Sequence, residues 1–315
     1  MVNSPSVAVI DIGSNSIKVL VATRAVDGGL RSLHSRTIDA RISAGLSHDA
    51  PQLGEAGMER GLQAVCALLA DAALFLPART VLVATSAVRD ARNGGEFRQR
   101  VLTATGHDIR ILSGNEEANL IGRGLAADPA LHGQRNFYVF DLGGGSLECL
   151  AFRERRIQQA VSLQLGCVRL TEKFVHDPSL PLAETARDRV VAHTRETVTQ
   201  SGFAFSLPAG AVAVATGGTV ATVRAIFGAR DGMPFEATDP IVMVRQFQEL
   251  LNWIGAMPLA QRKTMAGLPP ARADVFPVAL VTLISVCEFG GYSACQNSLY
   301  NLRHGLADEA LALRR

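Results

Sequence analysis

Two stretches of this chain carry residue types suited to handling phosphate. Residues 11–19 read DIGSNSIKV, and residues 141–149 read DLGGGSLEC. In each, an Asp is followed by a turn of small residues: Gly13, Ser14 and Asn15 in the first, Gly143, Gly144, Gly145 and Ser146 in the second. Gly permits positive φ and lets a backbone approach a ligand closely. Successive unobstructed N–H groups form an anion-binding nest, while Asp11 and Asp141 could hold a hydrated Mg²⁺, or another divalent cation, against a bound phosphate. One Gly/Ser turn alone is usually only a turn. Two of them, one with three consecutive glycines that would weaken an idle strand pair, favour phosphate loops.

A third such turn, Ala215-Thr-Gly-Gly-Thr219, follows an apolar run and precedes a helix. Two readings stand side by side: a strand-to-helix connection capped by Thr219, or a phosphate or nucleotide seat at Gly217 and Gly218 on a helix N-terminus. In ILSGNEEANLIGRGL, residues 111–125, Glu116 and Glu117 open a helix. They suit the helix dipole, and one of them could orient a water towards phosphate. Gly122-Arg-Gly124 imitates a dinucleotide fingerprint but lacks the preceding strand, so that match is discarded. Arg89, in ATSAVRDARN, is a surface charge or a grip on phosphate oxygens; Arg169, in SLQLGCVRLTE, reads first as a surface charge. P-loop, HExxH and GxSxG signatures are absent, which leaves metal-assisted phosphoryl transfer as the candidate chemistry.

The elements that must position these residues follow from periodicity. Apolar runs at Val7–Ile10 and Phe137–Phe140 lead into the two turns, and a further strand follows each turn. Leu30 to Ile38 predicts a third strand, Glu55 to Leu76 a helix, Thr80 to Thr85 a buried strand, and 108–112 and 115–125 a strand and a helix. Beyond a polar crossover at 128–135 the order repeats, with strands at 136–141, 147–152, 157–163 and 211–215 and helices elsewhere. Each half thus reads as βββαβα, the signature of a duplicated α/β protein. The expected domains are residues 1–126, joined by a C-terminal helix at about 300–315, and residues 127–299.

At 315 residues with 48% hydrophobic and 19% charged composition, two cores are expected. The net charge of +2 excludes a polyanion binder working by bulk electrostatics, and no DNA partner is expected. Five scattered cysteines without a CxxC read as reduced core residues. The N-terminus lacks a targeting pattern, and the apolar run Val275–Cys287 is interrupted by Pro277 and too short to span a bilayer, so a soluble cytoplasmic protein is expected.

Taken in order, DIGSNSIKV, ATSAVRDARN, LSGNEEANLIGRG, DLGGGSLE, SLQLGCVRLTE and ATGGT resemble the exopolyphosphatase/guanosine pentaphosphate phosphatase family, as do RADVFPVAL and the closing NLRHGL. The resemblance implies two ribonuclease-H-like domains of the actin, sugar-kinase and heat-shock chaperone superfamily, with a cleft between them. It implies that Glu117 positions the attacking water, that Asp141 and Glu148, with Asp11, lie near Mg²⁺, and that Gly13–Asn15, Gly143–Ser146 and Arg89 contact substrate oxygens. The implied substrates are polyphosphate or pppGpp, and dimers are common in the family. The sequence departs from the family pattern at Asn119, where Arg is common, and at Leu147, where Thr is common. Longer members continue into a helical HD-type domain, so this sequence resembles a short form. The competing expectations are a regulatory binder of (p)ppGpp with little turnover and an ATP-using kinase of the same superfamily, which Glu117 disfavours.

Overall fold

The computed structural model describes residues 5–44 and 51–313. The chain forms two compact units, Met1–His132 with Tyr300–Arg315, and Gly133–Leu299. In the first, strands β1 (Ser6–Ile12), β2 (Ile17–Arg24) and β3 (Leu30–Ile38) form an antiparallel meander. Helix α1 (Glu55–Ala73) crosses to β4 (Arg79–Ala84), then short α2 (Ser86–Asp90) and α3 (Gly94–Thr105) lead to β5 (Ile109–Ile111) and α4 (Gly114–Ala126). The sheet order is β3-β2-β1-β4-β5, with β1, β4 and β5 parallel. β1 is apolar from Val7 to Ile10 because both sheet faces are covered, whereas β3 is mostly exposed, as an edge strand bearing Arg31, His34 and Arg36 should be.

The second unit repeats the plan with β6 (Phe137–Leu142), β7 (Leu147–Arg153) and β8 (Arg156–Leu163). Helices α5 (Cys167–Phe174) and α6 (Glu184–Gln200) precede β9 (Val212–Thr216) and α7 (Gly218–Asp231). Then come β10 (Ile241–Met243), α8 (Val244–Gly255), α9 (Leu259–Arg262), α10 (Phe276–Phe289) and β11 (Ala294–Asn297). The sheet order is β10-β11-β9-β6-β7-β8. Helix α11 (Leu302–Ala312) follows β11 and packs in the first unit.

The first half is one βα step longer than βββαβα, through β5–α4; the second adds β10 with α8, α9 and α10, and then β11–α11. β10 and β11 are absent from the sequence expectation because three residues (Ile-Val-Met) and a polar tetrapeptide (Ala-Cys-Gln-Asn) carry no readable alternation. The apolar run Val275–Cys287 becomes α10, which is buried on all sides with Pro277 in its first turn, where a missing N–H costs nothing. Thr282 and Ser285 satisfy their hydroxyls on the carbonyls of Val278 and Val281. Among the described residues no helix is long and apolar enough to cross a membrane.

Helices α4 and α11 meet backbone to backbone. A Cβ on Gly124 would overlap the carbonyl oxygen of Asn301, and a Cβ on Gly305 would overlap that of Leu120. This close approach is what Gly124 of α4 serves. Gly305→Ala should therefore destabilise the protein by about 1–3 kcal/mol, as overpacking does. Gly95→Ala, on a helix with open space around its Cβ, should be neutral or stabilising by about 0.4–1 kcal/mol. Thermal denaturation of both variants checks the pair, and equal melting temperatures would remove the contact from its role.

Candidate active site

In a parallel sheet the carboxyl ends of the strands share one edge, and side chains from successive loops converge there. In the first unit that edge is formed by β1, β4 and β5, which lead directly into loop 13–16, α2 and α4. Side-chain contacts join all three: Ser14 Oγ lies 3.1 Å from Ser86 Oγ, and Arg89 Nη1 donates to Glu117 Oε2 at 2.7 Å and to the Leu112 carbonyl at 3.1 Å. Glu117 is buried on α4. The structure thus gives Arg89 to Glu117, where the sequence suggested a surface charge or a direct grip on substrate. Its immediate effect is to fix the Glu117 carboxylate.

The adjacent Glu116 does something else. It completes a capping box with Ser113, accepting from the Ser113 N–H at 2.9 Å and hydroxyl at 2.8 Å, and it pairs with Arg110 at 3.1 Å. The Ser113 N–H, the Ser113 hydroxyl and Arg110, in that order, hold its carboxyl at about 2. Of the two acids, Glu116 builds the helix end and Glu117 is buried against Arg89.

The two loops share a construction. Gly13 N–H donates to Ser16 O at 3.2 Å, and Gly143 N–H to Ser146 O at 3.0 Å. A second segment then takes the loop carbonyls. In the first loop Ser43 N–H donates to Ser14 O and Arg41 N–H to Asn15 O, with Arg41 held at φ +49° to reach. In the second, the first turn of α5 does this: Cys167 N–H donates to Gly143 O, and the N–H groups of Val168 and Arg169 both donate to Gly144 O. Arg169 adds a hydrogen bond from Nε to Gly145 O at 2.9 Å. Because a trans peptide is planar, its C=O and N–H point opposite ways. The N–H groups of Asn15 and Ser16, and of Gly144, Gly145 and Ser146, are therefore turned away from the bracing segments, as an anion nest requires.

This corrects two readings. Arg169 is a brace of the second loop, not a surface charge. Gly13, Gly143, Gly144 and Gly145 do not adopt positive φ. For the second loop the glycine signal is steric: a Cβ on Gly166, at the start of α5, would run into the Gly144–Gly145 backbone.

At the corresponding edge of the second unit, Asp141 lies directly across from Glu148 on β7 and beside Thr216 on β9. Glu148 is buried and accepts from Ser162 Oγ at 2.7 Å. Two carboxylates placed opposite each other on neighbouring strands repel, so the pair suits a cation. Among the described residues no group of three or more His, Cys, Asp or Glu forms a ready cage, but Mg²⁺ usually takes one or two protein carboxylates and fills its shell with water and phosphate. Gly217, at φ +84°, is required twice, since a Cβ there would also sit 2.5 Å from Asp141 Oδ1. Thr219 does not cap α7: Gly217 is the cap residue, and the Thr219 hydroxyl is buried without a partner. Sequence reasoning passed over Arg272, whose guanidinium lies against Gly218 with Nη1 3.5 Å from Thr222 Oγ1.

In the first unit Asp11 faces Lys18 across the β1–β2 pair, and its Oδ1 is buried without a partner. Burial pushes its carboxyl up, opposed by Lys18 and Arg303. The two departures from the family pattern are locally settled. Asn119 is exposed and bonds back to the Asn115 carbonyl at 2.7 Å, two residues round the helix from Glu117. Leu147 is buried in the core of the second unit, on the face of β7 opposite Glu148.

Two α/β units, each built on a mixed sheet, each open their first hairpin into a loop with outward N–H groups. The chain belongs to the Ppx/GppA phosphatase family, which it matches over residues 20–313. It is 30% identical over 312 residues to a guanosine-5'-triphosphate,3'-diphosphate pyrophosphatase of Vibrio vulnificus, covering 98% of this chain and 60% of that protein. A protein of the same name from Aeromonas salmonicida is 32% identical over 289 residues, covering 91% of this chain and 56% of that protein. The chain therefore spans less than two thirds of the length of these relatives. Among solved structures, an exopolyphosphatase from Cytophaga hutchinsonii superposes with a TM-score of 0.88 at 22% identity, over 98% of this chain and 99% of that one. The Aquifex aeolicus Ppx/GppA enzyme superposes at 0.76 and 24% identity, over 97% and 99%. These two likenesses concern the fold.

Two outcomes follow from the local geometry. Gly166→Ala should push the second loop off α5, destabilising the protein by about 1–3 kcal/mol and weakening imidodiphosphate binding by calorimetry; unchanged binding would take that loop out of the site. Glu116, depressed from 4.5 to about 2, stabilises the fold fully above 4.5, and that contribution is lost as pH falls towards 2. Its carboxylate is half exposed, so the amount stays below about 1 kcal/mol. In Glu116→Gln the drop in melting temperature between about pH 5 and about pH 3 should shrink, and an unaltered slope would show that other carboxylates carry it.

Proposed function

We propose that the chain is a phosphoanhydride hydrolase that releases the terminal phosphate of linear polyphosphate or of pppGpp. The observation that carries this reading is Glu117: a buried carboxylate, held by Arg89 at 2.7 Å, at the same sheet edge as a loop that turns its N–H groups outward.

In this reading Glu117 orients a water and accepts its proton as the water attacks the terminal phosphorus; the bridging P–O bond breaks, and the shortened chain leaves on its oxygen beside the released phosphate. Arg89 keeps the carboxylate in its working rotamer. The outward N–H groups of loop 13–16 receive phosphoryl oxygens, and their preorganised dipoles favour the charge that develops there. Asp141 and Glu148 would hold a divalent cation, which when bound neutralises phosphoryl oxygens. Within the second unit, Gly217 and Gly218, with Arg272 beside them, offer a seat for an anionic group. Catalysis of this type is mostly positioning and electrostatics, which suits a site built from backbone and a single base.

The test is phosphate release from long polyphosphate, tripolyphosphate and pppGpp, with and without Mg²⁺. Glu117→Gln should lower turnover by about 10²–10⁴-fold while leaving ligand binding in place. Arg89→Ala should lower kcat more than it raises KM, because it acts through Glu117. No release by the wild type from any of the three, with pppGpp still bound, would replace this reading with a regulatory nucleotide binder.

A further inference from the structure

The chain carries five cysteines, and the candidate site uses none of their thiols. Cys66 is exposed on α1, and the other four are buried. Two of the buried ones meet: Cys287 Sγ lies 3.1 Å from Cys295 Sγ, and neither residue has any exposed surface. The contact joins two elements whose backbones are held. Cys287 sits in the last turn of α10, and Cys295 lies on β11 between Val242 of β10 and Ala213 of β9. The connection is short, since α10 ends at Phe289 and β11 begins at Ala294, and Tyr292 N–H closes it by donating to the Cys287 carbonyl at 2.8 Å.

We propose that Cys287 and Cys295 are a disulfide-forming pair, an oxidative modification site that staples the end of α10 to β11. An S–S bond is about 2.05 Å long, so the two sulfurs need to approach by only about 1 Å. A ring spanning so short a stretch of chain costs little entropy to close. The reaction is thiol–disulfide exchange with a low-molecular-weight disulfide: one cysteine thiolate attacks a sulfur of that compound and expels one thiolate, then the second attacks the mixed disulfide and expels the other. The two cysteine protons end on the two departing thiols. Two cysteine sulfurs are oxidised as one external disulfide is reduced.

The surroundings set the rate. The hydrogen bond to Cys295, followed by burial, pushes the Cys287 thiol well above its ordinary range, and only a thiolate attacks. Exchange is therefore slow in the closed fold and proceeds when segment 288–294 opens or before the sheet is complete; within that segment Glu288, Phe289, Gly291 and Ser293 are exposed. Cys149, on β7, also bears on the Cys287 thiol and is the rival partner. Once formed, the staple secures a brace of the edge that carries Asp141 and Gly217. Two residues beyond Cys295, Asn297 donates to the Ala215 carbonyl and accepts from Arg224, and Ser298 N–H reaches the same carbonyl.

The experiment uses the full chain with Cys66→Ser, which removes the exposed thiol that glutathione would otherwise cap. The protein is held in excess oxidised glutathione to a constant thiol count, once folded in mild urea and once refolded from denaturant, and its free thiols are alkylated and its peptides read by mass spectrometry. Two of the four remaining thiols should disappear, with residues 287 and 295 linked and two hydrogens lighter. The oxidised form should melt about 3–8 °C above the reduced one, and dithiothreitol should reverse that shift. Cys295→Ala should lose both the link and the shift; if that variant fails to fold, the linked peptide and the melting shift of the parent still decide. Four free thiols in both samples, a link between Cys149 and Cys287, or an oxidised form that melts no higher than the reduced one would each overturn the proposal.

Discussion

Both candidate loops depend on the capture of their carbonyl groups by a neighbouring stretch of backbone. A four-residue turn between two strands has peptide units that can rotate either way. Once N–H donors from residues 41–43, or from the first turn of α5, hold the C=O groups, planarity leaves the N–H groups no choice of direction. An anion site made this way is preorganised, because its donors need not reorient when charge arrives. The requirement extends outwards. Gly166 must lack a side chain for α5 to come close enough, Arg169 must reach back to Gly145, and Arg41 must accept a left-handed backbone.

A second constraint sits behind Glu117. A buried carboxylate needs a partner, and Arg89 at 2.7 Å is one, but a pair of this kind fixes geometry only if both backbones are fixed. α2 is only five residues long and is tied to the first loop through Ser14 and Ser86. α4 is held by its capping box at one end and by the glycine contact with α11 further along. The chain therefore invests residues far apart in sequence in the placement of one carboxylate.

Much of this was legible in the sequence, for identifiable reasons. The paired loops stood out because an Asp after an apolar run and before small residues is a local pattern. Glu117 at a helix start was legible for the same reason. What could not be read depends on long-range contact. Nothing near Arg169 indicates that it turns back to Gly145, and nothing near Arg89 indicates that Glu117 will be its partner. β10 and β11 were missed because their strand character comes from the neighbours they pair with, not from their own composition. Thr219 followed the local rule for a cap and failed it, because Gly217 already occupies the cap position at a φ that only glycine adopts readily.

The duplication also shows how one plan was divided between structure and chemistry. α4 and α11 occupy the same place in the two halves, each after the last parallel strand, and both begin with a capping box: Ser113 with Glu116, and Asn301 with His304. His304 fills that role as a neutral ring, pushed down to about 3 mainly by burial, accepting through Nδ1 from the Asn301 N–H. One residue further on, α4 has Glu117 and α11 has Gly305. The position that carries the carboxylate in one copy carries no side chain in the other, and that bare glycine is where α11 rests on the Leu120 carbonyl of α4. An acid at 305 could not coexist with this contact. The bare glycine at 305 is what lets α11 seat the helix that bears Glu117, so the difference between the two helices at this position is a packing requirement.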